Sequence, residues 1–270
     1  MNKVKVFLIK YRKVSLVLGA IILITMVWQL QLLVSNDKTK KPNLIFIQAG
    51  ELSLETLSCY GESRMYTPNI DLLAFQGKLY TNCTRTEVSD KKGSDQNSLH
   101  KDMVQLNKKL KDNGYETLII SGTDLKKKSN NRNGKDAYIS DQITDNTIDF
   151  IKKTRLKHSF SVFVDYSSCK SDNFIARRHS ANVDQSVRPE LLAIDENVGR
   201  LYRFIEDIGI SDNTLIVFVS DVDGKDKQAI PLIVRYPSLI TPNTVSNANC
   251  SLKEVFELIL QVSDNSYSEI

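Results

Sequence analysis

The stretch "RPELLAIDENVGRLYRFIEDIGISDNTLIVFVSD", residues 188–221, holds two hydrophobic patterns in succession. Up to Gly209 it reads as one long amphipathic helix; after a polar turn, Leu215–Val219 is an unbroken apolar run of strand length. A strand apolar on both faces, fed by a helix, is the unit of a sheet with helices packed above and below. Asp221 ends this run, just outside the carboxyl end of the strand, where α/β enzymes place metal ligands and catalytic groups.

The same unit recurs on both sides. Downstream, a short acidic loop leads into a second buried strand, "IPLIVRYP" (230–237), and a closing helix, "SLKEVFELILQV" (251–262). Upstream, Pro42 delivers the chain into "NLIFIQA" (43–49), expected to be the central strand. A short helix starting near Pro68 and closed by Gly77 precedes a strand at Lys78–Thr81. Leu99, Met103, Leu106 and Leu110 form one helical face, Gly114 supplies the C′ position, and Tyr115–Ile120 follows as strand. "AYISDQITDNTIDFIKK" (137–153) and "SFSVFVDYS" (159–167) repeat helix and strand, whereas residues 87–98 and 125–136 read as polar, exposed connections. These elements predict an α/β fold, a mostly parallel central sheet with helices on both faces, over residues 43–264, with a tail at 265–270.

The N-terminus has a different character. "VSLVLGAIILITMVWQLQLLV" (14–34) contains no charge, and its 21 residues at about 1.5 Å each match a hydrocarbon core of about 30 Å. The small-x-small cleavage site of a signal peptide does not follow it, so an uncleaved transmembrane anchor is expected. Residues 1–13 carry Lys3, Lys5, Lys10, Arg12 and Lys13, more positive charge than follows the span at Lys38, Lys40 and Lys41. A cytoplasmic N-terminus, a tether at 35–42 and an extracytoplasmic domain are therefore expected. The formal charge of +4 resides in that leader, leaving the rest near neutral and giving no reason to expect a nucleic-acid partner. The cysteines, Cys59, Cys83, Cys169 and Cys250, lack metal-site spacing and read as isolated thiols, although an exported domain can pair some of them. Asn82-Cys83-Thr84 and Asn249-Cys250-Ser251 both match the glycosylation sequon.

Six phrases in chain order, "KPNLIFIQAGELS", "SCYGESRMYTPNIDLLAFQGKLYTN", "LNKKLKDNGYETLIISG", "YISDQITDNTIDFIKK", "LLAIDENVGRLYRFIEDIGISDNTLIVFVSD" and "IPLIVRYPSLITPNTVS", resemble the N-terminal domain of the sulfatase family, within the alkaline phosphatase superfamily. The resemblance spans about residues 41–258 and implies that the family's smaller C-terminal domain is missing beyond it. It also implies sulfuric ester hydrolysis with a divalent cation, usually Ca2+, and a formylglycine nucleophile made from Cys or Ser in C/S-x-P-x-R. The cation and basic side chains offset charge on the sulfate oxygens, and a histidine moves protons.

Position by position the catalytic set is eroded. The first strand should end in two adjacent aspartates and here ends in Gly50 and Glu51. Ser89 occupies the nucleophile position without the motif's Pro or Arg, so formylglycine formation is not expected and the hydroxyl stays unactivated. Gly122 and Asp124 stand where a Lys and a His are implied, and Lys170 stands where a second His is implied. Asp221 matches a metal aspartate but Val222 replaces its neighbouring Asn or His, and Lys225 or Lys227 is left to represent the lysine before the last strand.

Glu51 and Asp221, with help from Asp223, leave at best a weak, incomplete metal site, against the six to eight oxygens that Ca2+ takes. Solvated loop acids at strand ends are the plainer reading of the same residues. His100, His158 and His179 fall outside the matched phrases and read as surface side chains. The expectation is a membrane-anchored protein of sulfatase ancestry that has lost catalysis and acts by binding a sulfated or phosphorylated ester. Two alternatives keep activity: an ester hydrolase rearranged around Glu51, Ser89 and Asp221, or a phosphotransferase using Thr84 or Thr86.

Overall fold

The computed structural model describes residues 19, 21–26, 41–50, 52–61, 66–84, 98–129, 139–167, 189–220 and 229–266. The chain divides into two units, Met1–Lys41 and Pro42–Ile270. In the first, residues 21–26 are helical, with Ile21, Ile22, Leu23, Ile24 and Met26 exposed. Most of the expected 14–34 span lies outside the described residues, and among the described residues no helix is long and apolar enough to cross a membrane.

In the second unit, eight strands form one sheet: β1 (Asn43–Ala49), β2 (Lys78–Thr84), β3 (Glu116–Ser121), β4 (Phe160–Asp165), β5 (Thr214–Ser220), β6 (Ile230–Arg235), β7 (Thr244–Ser246) and β8 (Cys250–Ser251). Their order is β3-β4-β1-β5-β6-β2-β7, with β8 also on β2. β6 is antiparallel to both β5 and β2 while every other pairing is parallel, so the sheet is mixed but mostly parallel. β1 lies in the middle, as its apolar run requires: all seven residues are buried.

Among the described residues six α-helices pack with the sheet: α1 (Pro68–Phe75), α2 (Ser98–Asp112), α3 (Gly122–Ser129), α4 (Ile139–Thr154), α5 (Pro189–Asp207) and α6 (Leu252–Ser263). Strand alternation sorts the core into two layers. Ile45 and Ile47 of β1 and Ile216 and Phe218 of β5 meet α1, α4 and α5 on one face. Leu44 and Phe46 of β1 and Leu215 and Val217 of β5 meet α2 and α6 on the other. Leu99, Met103, Leu106 and Leu110 are the buried stripe of α2, and Gly114 has φ +84°, a left-handed conformation that follows from its place after the helix.

Two expectations need correction, and two short strands are added to the sheet. Residues 125–129 are helical rather than an exposed connection, because Ser121 and Asp124 cap the start of α3: the Ser121 hydroxyl donates to Asp124 Oδ2 (2.7 Å), and the Asp124 N–H approaches Ser121 Oγ (3.4 Å). Residues 130–136 lie outside the described residues. β2 runs past Thr81 to Thr84, since Cys83 and Thr84 gain partners in β8. The short strands β7 and β8 carry no signal in the sequence, because two or three residues are too few for a period-2 pattern.

Two devices lock layers together. α1 begins with Pro68, which has no N–H, so Asn69 and Ile70 hold the donors in need of a cap. Thr67, the N-cap residue, provides no side-chain bond to them. The buried Asp195 of α5 does so instead, accepting from Asn69 N (3.0 Å), Ile70 N (2.9 Å) and Asn69 Nδ2 (2.7 Å). Between β2 and β6 the register shifts at Tyr80/Cys83, beside Pro231, which cannot donate to a ladder. The Tyr60 hydroxyl fills the break, accepting from Leu232 N (2.7 Å) and lying within reach of the Leu232 (3.0 Å) and Tyr80 (3.1 Å) carbonyls.

Candidate functional site at the carboxyl edge of the sheet

The strands β3, β4, β1 and β5 all end on one side, which is where an open α/β sheet binds ligands. Ala49 pairs with Ser220, so the chain leaves β1 and β5 at neighbouring points. The turn after β1 is tied back to β5: Leu52 N donates to Ser220 Oγ (2.7 Å), and the Ser220 hydroxyl donates to the Gly50 carbonyl (2.5 Å). Ser220, Gly50 and Leu52 are all buried. Glu51 follows Gly50 and Asp221 follows Ser220 in sequence, but both lie outside the described residues, as do Ser89, Thr86, Lys170, Val222, Asp223, Lys225 and Lys227. The fold thus brings together the residues that flank two of the predicted site positions.

Several of the described polar groups at this edge are engaged in local bonds. At the end of β4, Asp165 Oδ1 accepts from Ser167 N (2.8 Å), Tyr166 N donates to the Gln48 carbonyl (2.9 Å), and the Tyr166 hydroxyl pairs with Thr144 Oγ1 (2.7 Å). At the end of β3, Ser121 bridges Thr123 and Asp124, both at 2.7 Å. A Lys and a His there would present positive charge to a sulfate; the capping arrangement presents a carboxylate.

The fit to a calcium ion can be judged on these groups. Gly50 has no side chain and its carbonyl holds Ser220; Asp124 and Asp165 are each bound into local turns. Among the described residues no group of three or more His, Cys, Asp or Glu could hold a metal. They do not supply the six to eight oxygens that calcium takes. A separate cleft of about 630 Å³ on the β3 edge, lined by residues of α3 and α4, has Asp124, Asp149 and Lys153 among its described lining residues.

Sequence reasoning missed the structural roles of Ser220, Tyr60 and Asp195. Asp195 had left a sign: an acid on the apolar stripe shared by Leu191, Val198, Leu201 and Tyr202 can be buried only with donors facing it. Cys59 offers no concealed nucleophile, since burial and then the nearby Asp71 carboxylate push its thiol up to about 12.

Comparison with known proteins supports the resemblance on which the site was read. No protein-family model matches the chain. An N-acetylglucosamine-6-O-sulfatase of Bacteroides thetaiotaomicron is 39% identical over 72 residues, 22% of this chain and 13% of that protein. A ulvan-active sulfatase of Formosa agariphila is 22% identical over 285 aligned positions, 87% of this chain and 57% of that protein. The chain therefore spans little more than half of the latter's length. Among solved structures, PsFucS1 sulfatase from Pseudoalteromonas sp. superposes with a TM-score of 0.62 at 17% identity, covering 88% of this chain and 70% of that one. A second, solved in complex with its substrate D-glucosamine-2-N,6-O-disulfate, gives 0.59 at 16% identity, over 83% and 77% of the two chains.

Proposed function

We propose that this chain, whose α/β unit is a sulfatase-family domain, is a membrane-anchored member of that family that binds an anionic ester without hydrolysing it. Residues 14–34 form its single span, residues 1–13 stay in the cytoplasm, and the domain faces outward. The ligand is a sulfated or phosphorylated sugar ester. Support for the ligand class comes from the structural relative that was solved with a sulfated glucosamine as its substrate.

The observation that carries the loss of catalysis is the tip of β1. The position of the first metal aspartate is Gly50, buried and held through its backbone by Ser220. Removing the paired aspartate, the Lys and both His takes out interactions that act as a unit on a developing charge, so what remains does not add up to partial activity. Ca2+ binding is weak or lost, and Ser89 stays an ordinary serine without conversion to formylglycine.

One observation favours a second reading, an ester hydrolase rearranged around Glu51, Ser89 and Asp221: the Ser220 bridge draws the residues flanking Glu51 and Asp221 together. Both are tested by calorimetry of the full-length chain in detergent with D-glucosamine-2-N,6-O-disulfate, followed by ion chromatography for free sulfate. Heat of binding with no sulfate released supports the binding protein. Sulfate release supports the hydrolase, and neither heat nor release removes both.

A further inference from the structure

Cys83 of β2 and Cys250 of β8, far apart in sequence, are register partners in a parallel pair, followed by Thr84 opposite Ser251. Register partners on adjacent strands point to the same face and lie about 4.8 Å apart across the ladder, inside the window of about 4.4–6.8 Å between Cα atoms that a disulfide spans. On the residue before each, the Asn82 carboxamide donates to Asn249 Oδ1, which holds the two backbones side by side on the opposite face. Both sulfurs belong to the core layer beneath α6, Cys83 buried and Cys250 partly exposed, and both are free thiols.

We infer that Cys83 and Cys250 are a site of reversible oxidation, closing to a disulfide that fastens the C-terminal β8–α6 segment to the sheet. The attachment matters because β8 is a two-residue strand that pairs with β2, its one strand partner among the described residues, while α6 after it packs with α2 on one face of the core. The closeness of the two thiols divides their roles: it pushes the Cys83 thiol up, with burial adding to the effect, and holds Cys250 down, against burial and the charge of Glu254, while the Cys83 Sγ–H faces the Thr84 carbonyl at 3.8 Å. Cys250, the more exposed and more acidic partner, is therefore the attacking thiolate.

The oxidant is a small-molecule disulfide. The Cys250 thiolate attacks one of its sulfurs and expels the other as a thiolate, forming a mixed disulfide. Cys83 then loses its proton, attacks Cys250 Sγ and releases the second thiol, so two protein thiols become one disulfide and one small disulfide becomes two thiols. None of this depends on whether the sheet tip cleaves an ester.

The test exposes the full-length reduced chain to oxidised glutathione, quenches with acid, alkylates free thiols and digests without reductant. The expected result is a peptide linking Cys83 to Cys250, a fall of two in titratable thiols, and slower proteolysis within residues 250–266. In Cys250→Ser the linked peptide is lost and Cys83 stays alkylatable. The wild-type readout stands on its own if a variant fails to fold. Full alkylation of both cysteines after oxidation, a glutathione adduct on Cys250 that never resolves, or a link from either to Cys59 or Cys169 overturns the inference.

Discussion

Replacing Asp195 by alanine removes the side-chain cap that α1 has among the described residues. Two backbone donors, Asn69 N and Ile70 N, lose their acceptor, and Pro68 leaves no other residue in that turn to share it. A buried donor left unpaired costs about 1–3 kcal/mol, and loss of an N-cap about 0.5–2 kcal/mol. Part of this is offset, because the mutation also removes a carboxylate whose burial is unfavourable: desolvation raises the Asp195 pKa above its ordinary 3.8, although the bonds from Ile70 and Asn69 pull it down. The net expectation is a loss of about 2–3 kcal/mol. With a urea m-value of about 3 kcal/mol per M, the unfolding midpoint falls by about 0.7–1 M.

The sign of the pH dependence is a second mark of this arrangement. A carboxyl raised in the folded state binds its proton more tightly there than in the unfolded chain. Its contribution is fully present below the unfolded value and is lost as pH rises through the raised folded value, the reverse of an ion-paired carboxylate. Asp195→Asn should abolish that component while keeping an acceptor for Ile70 N, and should cost less than Asp195→Ala. The reasoning is refuted if the alanine variant unfolds at the wild-type urea midpoint, or if the asparagine variant keeps the wild-type pH slope.

Other perturbations follow from the same packing. In Gly199→Ala the new Cβ would fall 2.1 Å from Asn69 Oδ1, so the Asn69 side chain must give up its bonds with Asp195 and Arg203 while its backbone N–H stays on Asp195. We expect a loss of about 1–3 kcal/mol in the urea assay, less than additive with Asp195→Ala because the two share Asn69; full additivity would contradict this. Tyr60→Phe leaves the Leu232 N–H unpaired at the β2/β6 break and should cost about 1–3 kcal/mol, read as a lower thermal midpoint; an unchanged midpoint would mean that water replaces the hydroxyl. Ser220→Ala frees the turn after β1, and hydrogen exchange at the Leu52 amide should quicken; unchanged exchange would show that Ser220 does not hold the turn.

Much of the fold was legible because its signals are local and strong. The unbroken apolar runs of β1 and β5, the α2 stripe from Leu99 to Leu110, and Gly114 after it each state a burial or a backbone angle in one short stretch. What escaped depends on partners far away in the chain. Cys83 and Cys250 look like isolated thiols until β8 pairs with β2. The reversed direction of β6 shows only in its pairing with β5, and Asp195 acquires its meaning only from the two donors of α1. The carboxyl edge was legible in part. The place of Gly50 at the end of β1 could be read from its neighbours alone, whereas the Ser220 bridge behind it needed two strands side by side.

The account stands or falls on the emptied charge set at the end of the central strands. The most direct measurement is turnover of aryl sulfate and aryl phosphate esters by the full-length chain across a calcium titration, with Asp221→Ala alongside. We predict rates at the level of buffer for both proteins at every calcium concentration; calcium-dependent release of the phenol by the wild type, lost in Asp221→Ala, would contradict it.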